Sequence, residues 1–189
     1  MRKVKYFVAN SLDNFIARKD GAVDWLFQDK TDYGMREFFA SVDTMLIGRK
    51  TYEFALGQSS GHKQKSRSKK AKSKQTFCSS MRNYVFSRTM KSAPDEDVRI
   101  VSEDAGEFVR NLKAEAGKDI WLMGGGELAR SLFAENLVDE IGLNIHPVLL
   151  GSGIPLFPEI GHQIDLELVE HKVHPNGCVQ VTYRVKGAV

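Results

Sequence analysis

The sequence predicts an α/β fold: a mainly parallel central sheet finished by a C-terminal antiparallel hairpin. Three observations carry that reading. Short apolar runs ending in glycine or polar turns alternate with helix-like stretches up to about Asn136. Beyond it the rhythm changes to apolar-polar alternation, the period of a half-buried strand. His174-Pro175-Asn176-Gly177 then sets an Asn-Gly pair between two such strands, a strong hairpin signal.

Taken in order, Val4 to Ala9, Thr44 to Gly48, Asn83 to Phe86, Val98 to Val101 and Ile120 to Met123 read as strands buried on both faces. Helices are expected over Asp32 to Ala40, Lys50 to Leu56, Ala105 to Ala114 and Glu127 to Ala134, the third opened by the acids Glu103 and Asp104. Leu137 to Leu150 reads as a strand, Gly151 to Pro158 as a Gly/Pro-rich turn, and Leu166 to Val173 with Cys178 to Val185 as the closing hairpin. A chain of 189 residues, 42% of them hydrophobic, is enough for one core, and neither a repeat nor a second core is visible, so residues 1–189 are expected to form one domain.

Residues 57–80 stand apart, being rich in Lys, Ser and Gln and poor in large apolar side chains, the composition of a surface insertion. Its segment Lys63 to Lys74 holds seven basic residues and no acid, so the formal charge of +3 is a local property and the remainder of the chain is net acidic. That run could engage nucleic acid, but it lacks the aromatic residues that stack on bases, which makes a nucleic-acid partner the weaker reading. Cys78 and Cys178 are too few and too far apart for a disulfide scaffold or a zinc ribbon, which suits a reducing cytoplasm. The N-terminal residues show neither the apolar core nor the cleavage site of a secretion signal, and no apolar run approaches the roughly 20 residues of a membrane span. The five histidines have no metal-ligand spacing, so no metal is expected.

Three constellations point to a phosphate-bearing cofactor. In Ile47-Gly48-Arg49-Lys50-Thr51-Tyr52-Glu53 a buried strand ends in glycine where a helix begins, and unpaired backbone N–H groups there attract an anion. Met123-Gly124-Gly125-Gly126-Glu127-Leu128 repeats the arrangement, and three glycines in a row suit close approach to the main chain. It is neither the Gly-x-Gly-x-x-Gly fingerprint nor a Walker loop. Phe86-Ser87-Arg88-Thr89 adds two hydroxyls and a guanidinium at a third strand end, and in parallel α/β sheets ligands gather at the carboxyl ends of strands.

With these blocks in order, together with Ser11-Leu12-Asp13, Val23-Asp24-Trp25-Leu26 and Gly151-Ser152-Gly153-Ile154-Pro155-Leu156-Phe157, the sequence resembles the dihydrofolate reductase superfamily. It is most similar to the branch holding the reductase half of the bifunctional riboflavin-pathway deaminase-reductase. The resemblance implies the three-layer dihydrofolate reductase-like fold and an NADPH-dependent reductase acting on a small heterocycle, a pteridine or a ribosylaminopyrimidine. It implies pyrophosphate contacts from Gly48 to Thr51 and from Gly124 to Leu128, and places Arg49, Ser87 and Arg88, with Thr89 beside them, around the adenosine 2'-phosphate. Arginine suits that role because its planar fork can hold a phosphate through two hydrogen bonds. Asp32, sixteen residues before Gly48, stands where the family keeps the carboxylate that helps deliver a proton, with Tyr33 as a second candidate. The bland reading of Asp32 is an acid at a helix start. Asp24 and Trp25 would belong to the loop that closes over the nicotinamide.

Two departures narrow the substrate. Met81 stands where dihydrofolate reductases carry the arginine that grips the glutamate tail of folate, and no zinc deaminase signature precedes the reductase motifs. A protein of this fold that binds a nucleotide without turning over a substrate is the competing reading, and pairing of two copies through the C-terminal hairpin edge is expected to be feasible.

Overall fold

Alternate residues of the first strand point to opposite faces of the sheet, and this sorts the side chains of the whole molecule into layers. In the computed structural model, which describes residues 1–27, 31–61, 80–157 and 159–188, Val4 and Tyr6 of β1 (Val4–Ser11) enter the larger core and Phe7 the opposite one. The larger core is closed by α3 (Ala105–Ala114) and α4 (Gly126–Ala134), whose Val109, Leu112, Leu132 and Phe133 are buried against the sheet. On the other face α1 (Met35–Ser41) contributes Phe38, which stacks on Phe7 and meets Trp121 edge to face, and α2 (Arg49–Gly61) contributes Tyr52 against Ile47 and Val85. Helices on both faces of one sheet give the three layers that the sequence implies.

The remaining strands are β2 (Phe15–Ala17), β3 (Val42–Gly48), β4 (Arg82–Phe86), β5 (Val98–Val101), β6 (Asp119–Gly124), β7 (Glu140–His146), β8 (Ile154–Pro155), β9 (Leu166–Val173) and β10 (Val179–Val185). Eight of them form one sheet in the order β5-β4-β3-β6-β1-β7-β10-β9, and β2 pairs with β8 apart from it. All pairings from β5 across to β7 are parallel, whereas β10 runs antiparallel to both β7 and β9. The carboxyl ends of β3, β4, β6, β1 and β7 therefore point the same way and make one edge of the molecule.

Several boundaries differ from the sequence expectation, each for a local reason. The first helix starts at Met35 and not at Asp32, because Gly34 sits in the left-handed region with φ +74 and breaks the helical path. Leu137 to Leu150 is not one strand. Asn136, with φ +55, ends α4, Leu137 N–H reaches back to the Leu132 carbonyl at 2.9 Å, and Leu137 and Val138 are buried in that turn. Pro147 supplies no N–H for the ladder, and β7 stops at His146. Residues 57–61 continue α2 where an insertion was expected to begin, and the basic run Lys63 to Lys74 and Cys78 lie outside the described residues. Among the described residues no helix is long and apolar enough to cross a membrane.

Candidate active site

Parallel pairing sets Ile47 beside Gly124, so the turns that follow β3 and β6 run against each other. A methyl group placed on Gly125 would lie 2.8 Å from the Gly48 Cα, closer than real side chains come to backbone, and one placed on Gly48 would lie 3.0 Å from the Gly125 Cα, at the tight limit of such contacts. Gly125 also has φ +105, a conformation closed to most L-residues. Thr51 Oγ1 faces the same spot, 3.6 Å from where that methyl would be. The close pass brings the first turns of α2 and α4 side by side, with the free N–H groups of both at the carboxyl edge. No side chain caps α4, whose first helical hydrogen bond is Ala129 N–H to the Gly125 carbonyl at 2.9 Å. Gly124 and Gly126 face open space.

Next to these turns, the register Gly48↔Phe86 brings Ser87 and Arg88 out beside Arg49. Ser87 Oγ accepts the N–H groups of Thr89 at 3.2 Å and Met90 at 2.9 Å, and this turns the chain sharply so that Arg88 is left exposed. Arg88 and Lys50 pair with no other described residue, whereas Arg49 is held by Glu53 at 2.9 Å.

On the other side of the edge the register Ser11↔His146 joins the ends of β1 and β7. His146 is buried, with the rings of Trp25, Phe27 and Tyr33 at centroid distances of 5.3, 5.1 and 5.8 Å. Trp25 Nε1 is buried with no hydrogen-bond partner among the described residues. Tyr33 also meets His174 at 5.1 Å, and its hydroxyl accepts a hydrogen bond from Asn176 Nδ2 in the β9–β10 turn. That hydrogen bond ties the turn to the segment leading into α1, and the Gln180 side chain of β10 lies over Gly34.

Asp32 stands at the start of α1, where its Oδ1 accepts Met35 N–H at 2.9 Å. It also lies at the rim of a recess of about 550 Å³ between α1 and the sheet. Four carboxylates line the recess, those of Asp32, Glu37, Glu140 and Glu170, against the ammonium groups of Lys5 and Lys172.

Residues 2–180 match the family described as the RibD C-terminal domain. The chain belongs to that family. It is 37% identical over 186 residues to the uncharacterized protein YyaP of Bacillus subtilis (strain 168), covering 98% of this chain and 96% of that one. Among solved structures it resembles a protein of Shewanella sp. PV-4 assigned by its name to riboflavin biosynthesis, at 27% identity and a TM-score of 0.78, covering 98% and 99% of the two chains. It also resembles the Thermotoga maritima diaminohydroxyphosphoribosylaminopyrimidine deaminase/5-amino-6-(5-phosphoribosylamino)uracil reductase, at 18% identity and a TM-score of 0.68, covering 97% of this chain and 56% of that one. Dihydrofolate reductase from Enterococcus faecalis, solved with NADP(H), follows at 16% identity and a TM-score of 0.66, covering 97% and 96%. The fold is dihydrofolate reductase-like, of the RibD C-terminal branch.

Within this RibD-like frame the residues singled out in the sequence fall into three groups. Gly48, Lys50, Thr51, Gly124, Gly125, Gly126, Ser87, Arg88 and Thr89 meet at the glycine side of the edge, with Arg49 beside them. Glu127 pairs with Arg130 at 2.7 Å, and the Leu128 side chain is buried in the larger core, leaving their backbone as the part that faces the helix start. Asp32, Tyr33 and Trp25 lie on the aromatic side, while Asp24 is exposed and paired with Arg18 at 2.6 Å.

Sequence reasoning gave no role to Asp13, though it quoted the residue. Its carboxylate accepts Ser11 Oγ–H at 2.6 Å, Leu150 N–H at 3.1 Å and Gly151 N–H at 2.7 Å. These bonds, the serine hydroxyl foremost, hold its pKa below the usual carboxylate range against a smaller opposing effect of desolvation. They tie the turn after β1 to the loop after β7. His146, His174 and Asn176 were likewise missed as a group, because their convergence is tertiary.

Proposed function

We propose that the protein is an NADPH-dependent reductase that transfers a hydride to a small heterocycle of the pteridine or ribosylaminopyrimidine kind. The observation that carries this reading is the contact of Gly48 with Gly125, which sets the starts of α2 and α4 side by side, that of α4 without a side-chain cap, with Arg88 and Lys50 exposed nearby. Such a cradle fits a dinucleotide pyrophosphate, because N–H groups and two positive helix ends converge on one point and Gly124 and Gly126 leave it open. Arg88, with Arg49, Ser87 and Thr89, would hold the 2'-phosphate that distinguishes NADPH from NADH.

Bound NADPH would supply the hydride. The chain's own part is to hold the cofactor, exclude water and manage one proton. Trp25 and Phe27, packed on His146, cover the aromatic side, and the unsatisfied Trp25 Nε1 offers a donor to a ligand or an ordered water. Tyr33, oriented by Asn176, would align the substrate. Asp32 would relay the proton that accompanies hydride transfer, and its bond to Met35 N–H holds the carboxylate at the recess. Met81 is buried beside Trp121, which supports a substrate without the glutamate tail of folate. A reducing cytoplasm suits the buried free thiol of Cys178.

Titration of the protein with NADPH and with NADH, followed by turnover assays against pteridines and ribosylaminopyrimidines, tests the reading. A preference for NADPH of on the order of ten- to a hundredfold is expected from hydrogen bonds to a charged phosphate. Equal affinity for the two cofactors would remove the 2'-phosphate assignment. Cofactor binding without turnover of either substrate class would favour a nucleotide-binding protein that performs no reduction.

A further inference from the structure

We infer that Asn144 reads the substrate: its carboxamide takes a lactam edge, a ring N–H beside a ring carbonyl, and so decides which heterocycles are accepted. The inference rests on the reading of the β1 and β7 ends as the substrate side, and it adds a residue and a chemical requirement to that reading.

Side chains of β7 alternate between the two faces of the sheet. Ile141, Leu143 and Ile145 pack into the larger core, which leaves Glu140, Gly142, Asn144 and His146 on the face of α1. Asn144 stands opposite Ala9 of β1 and Gln180 of β10, on the face that carries Phe7. Gly142, two residues before it, and Gln180, across from it, line the recess that also holds Asp32 and Gly34. His146, two residues after it, is the centre of the Trp25, Phe27 and Tyr33 cluster. Asn144 therefore lies between the recess and the aromatic rings.

The residue is 5% exposed, and its Oδ1 is buried without a hydrogen-bond partner. Among the described residues its side chain neither accepts nor donates a hydrogen bond. Asn10, the buried asparagine of β1, differs: its Oδ1 is also unpaired, but its Nδ2 donates to the Ser11 carbonyl at 2.8 Å. An amide left unpaired inside a sheet destabilises the fold, and an apolar side chain of the same size would not. Asparagine is also among the poorer strand formers. A partner that arrives with the ligand accounts for both. An amide presents one acceptor and one donor side by side, the complement of a ring N–H next to C=O, and the enclosed Oδ1 is the atom that calls for the N–H.

Pterin has one ring N–H, next to its carbonyl, and 3-methylpterin lacks it. Fluorescence titration of the protein saturated with NADP+ should show pterin bound about tenfold or more tightly than 3-methylpterin. In Asn144→Leu pterin affinity should fall by about tenfold and the gap between the two ligands should nearly close. The same variant should unfold at an unchanged or higher temperature, because it removes an unpaired amide. For the pyrimidine class, 6-aminouracil should lose affinity in Asn144→Leu in the same way. Asn144→Asp keeps the size but replaces the donor by a second acceptor, so the ratio of pterin to 2,4-diaminopteridine affinity should drop by about tenfold. This variant decides the matter if Asn144→Leu does not fold. NADPH affinity separates the inference from the reading beneath it: a wild type without that affinity removes the reading itself. With NADPH affinity intact, failure to bind both pterin and 6-aminouracil, a methylation penalty that persists in Asn144→Leu, or a leucine variant that loses stability and keeps its ligand affinity overturns the role of Asn144.

Discussion

The two sides of the carboxyl edge are built from different materials. At the ends of β3, β4 and β6 the chain offers main-chain N–H groups, glycines and a few exposed cations. At the ends of β1 and β7 it offers side chains, with Trp25, Phe27, Tyr33 and His174 packed around or beside His146. The first suits a ligand portion shared by many enzymes, a pyrophosphate held by backbone. The second suits a portion that must be told apart from similar molecules, since shape and hydrogen bonding by side chains carry specificity. Substitutions on the two sides should therefore fail differently, one set in cofactor affinity and the other in turnover.

The largest expected effect lies on the aromatic side. Asp32→Asn should lower turnover by roughly a hundred- to ten-thousandfold, the usual contribution of a positioned acid or base, while NADPH affinity is unchanged. The fold should survive, because asparagine can accept Met35 N–H as aspartate does. A variant with full turnover at neutral pH moves the proton donor elsewhere, with Tyr33 next to be replaced by phenylalanine. Loss of cofactor affinity with turnover intact would instead erase the distinction between the two sides.

On the glycine side the next effects separate packing from ligand contact. Gly125→Ala meets the Gly48 backbone and a positive φ at once, so it should cost on the order of 1–3 kcal/mol of stability as well as cofactor affinity. Gly126→Ala meets nothing, and alanine is the better helix former, so the fold should be as stable or more so. If the pyrophosphate lies against that helix start, the added methyl should still weaken NADPH binding several-fold. Thermal unfolding and cofactor titration of both variants distinguish the cases, and unchanged affinity in Gly126→Ala would mean that the ligand does not approach there.

Much of the glycine side was legible because backbone chemistry leaves a local trace: a strand, a glycine and a helix start are contiguous in sequence. The same holds for the layers and the parallel order, which follow from alternating runs of a few residues. The aromatic side left no such trace, since Trp25, Tyr33, His146, His174 and Asn176 are separated by up to 151 residues and meet only through the sheet register and the β9–β10 turn. His146 in isolation reads as a structural residue before a proline, and only its neighbours suggest more. The short β2–β8 pair escaped for a related reason, two or three residues being too few to show a period.

A smaller effect sharpens the phosphate assignment. Arg88→Ala should weaken NADPH by about tenfold and leave NADH unchanged, since one charge-assisted contact is lost. Arg49→Ala should do less, because that guanidinium is already shared with Glu53. Binding curves for both cofactors with both variants give the ranking, and a larger loss in Arg49→Ala would reverse the assignment of the two arginines.

The smallest effect concerns the seam between the two sides, where Asp13 fastens the turn after β1 to Leu150 and Gly151. Its pKa in the folded protein is held low by the Ser11 hydroxyl and these N–H groups, while in the unfolded chain it would return to about 3.9. The folded state therefore binds fewer protons in the window between the two values. The stabilisation is complete above the unfolded value and is lost as pH falls through the folded one. Asp13→Asn removes that titration, so the difference in stability between wild type and variant should be greatest near neutrality and shrink below about pH 4. Asp24→Asn is the control, since Arg18 holds that carboxylate low too but as an exposed pair, which contributes little. Urea unfolding across the acid range should then show a pH-dependent gap for Asp13→Asn and almost none for Asp24→Asn. Equal gaps, or a gap for Asp13→Asn that does not change with pH, would mean that the carboxylate at the seam is no better anchored than one in open solvent.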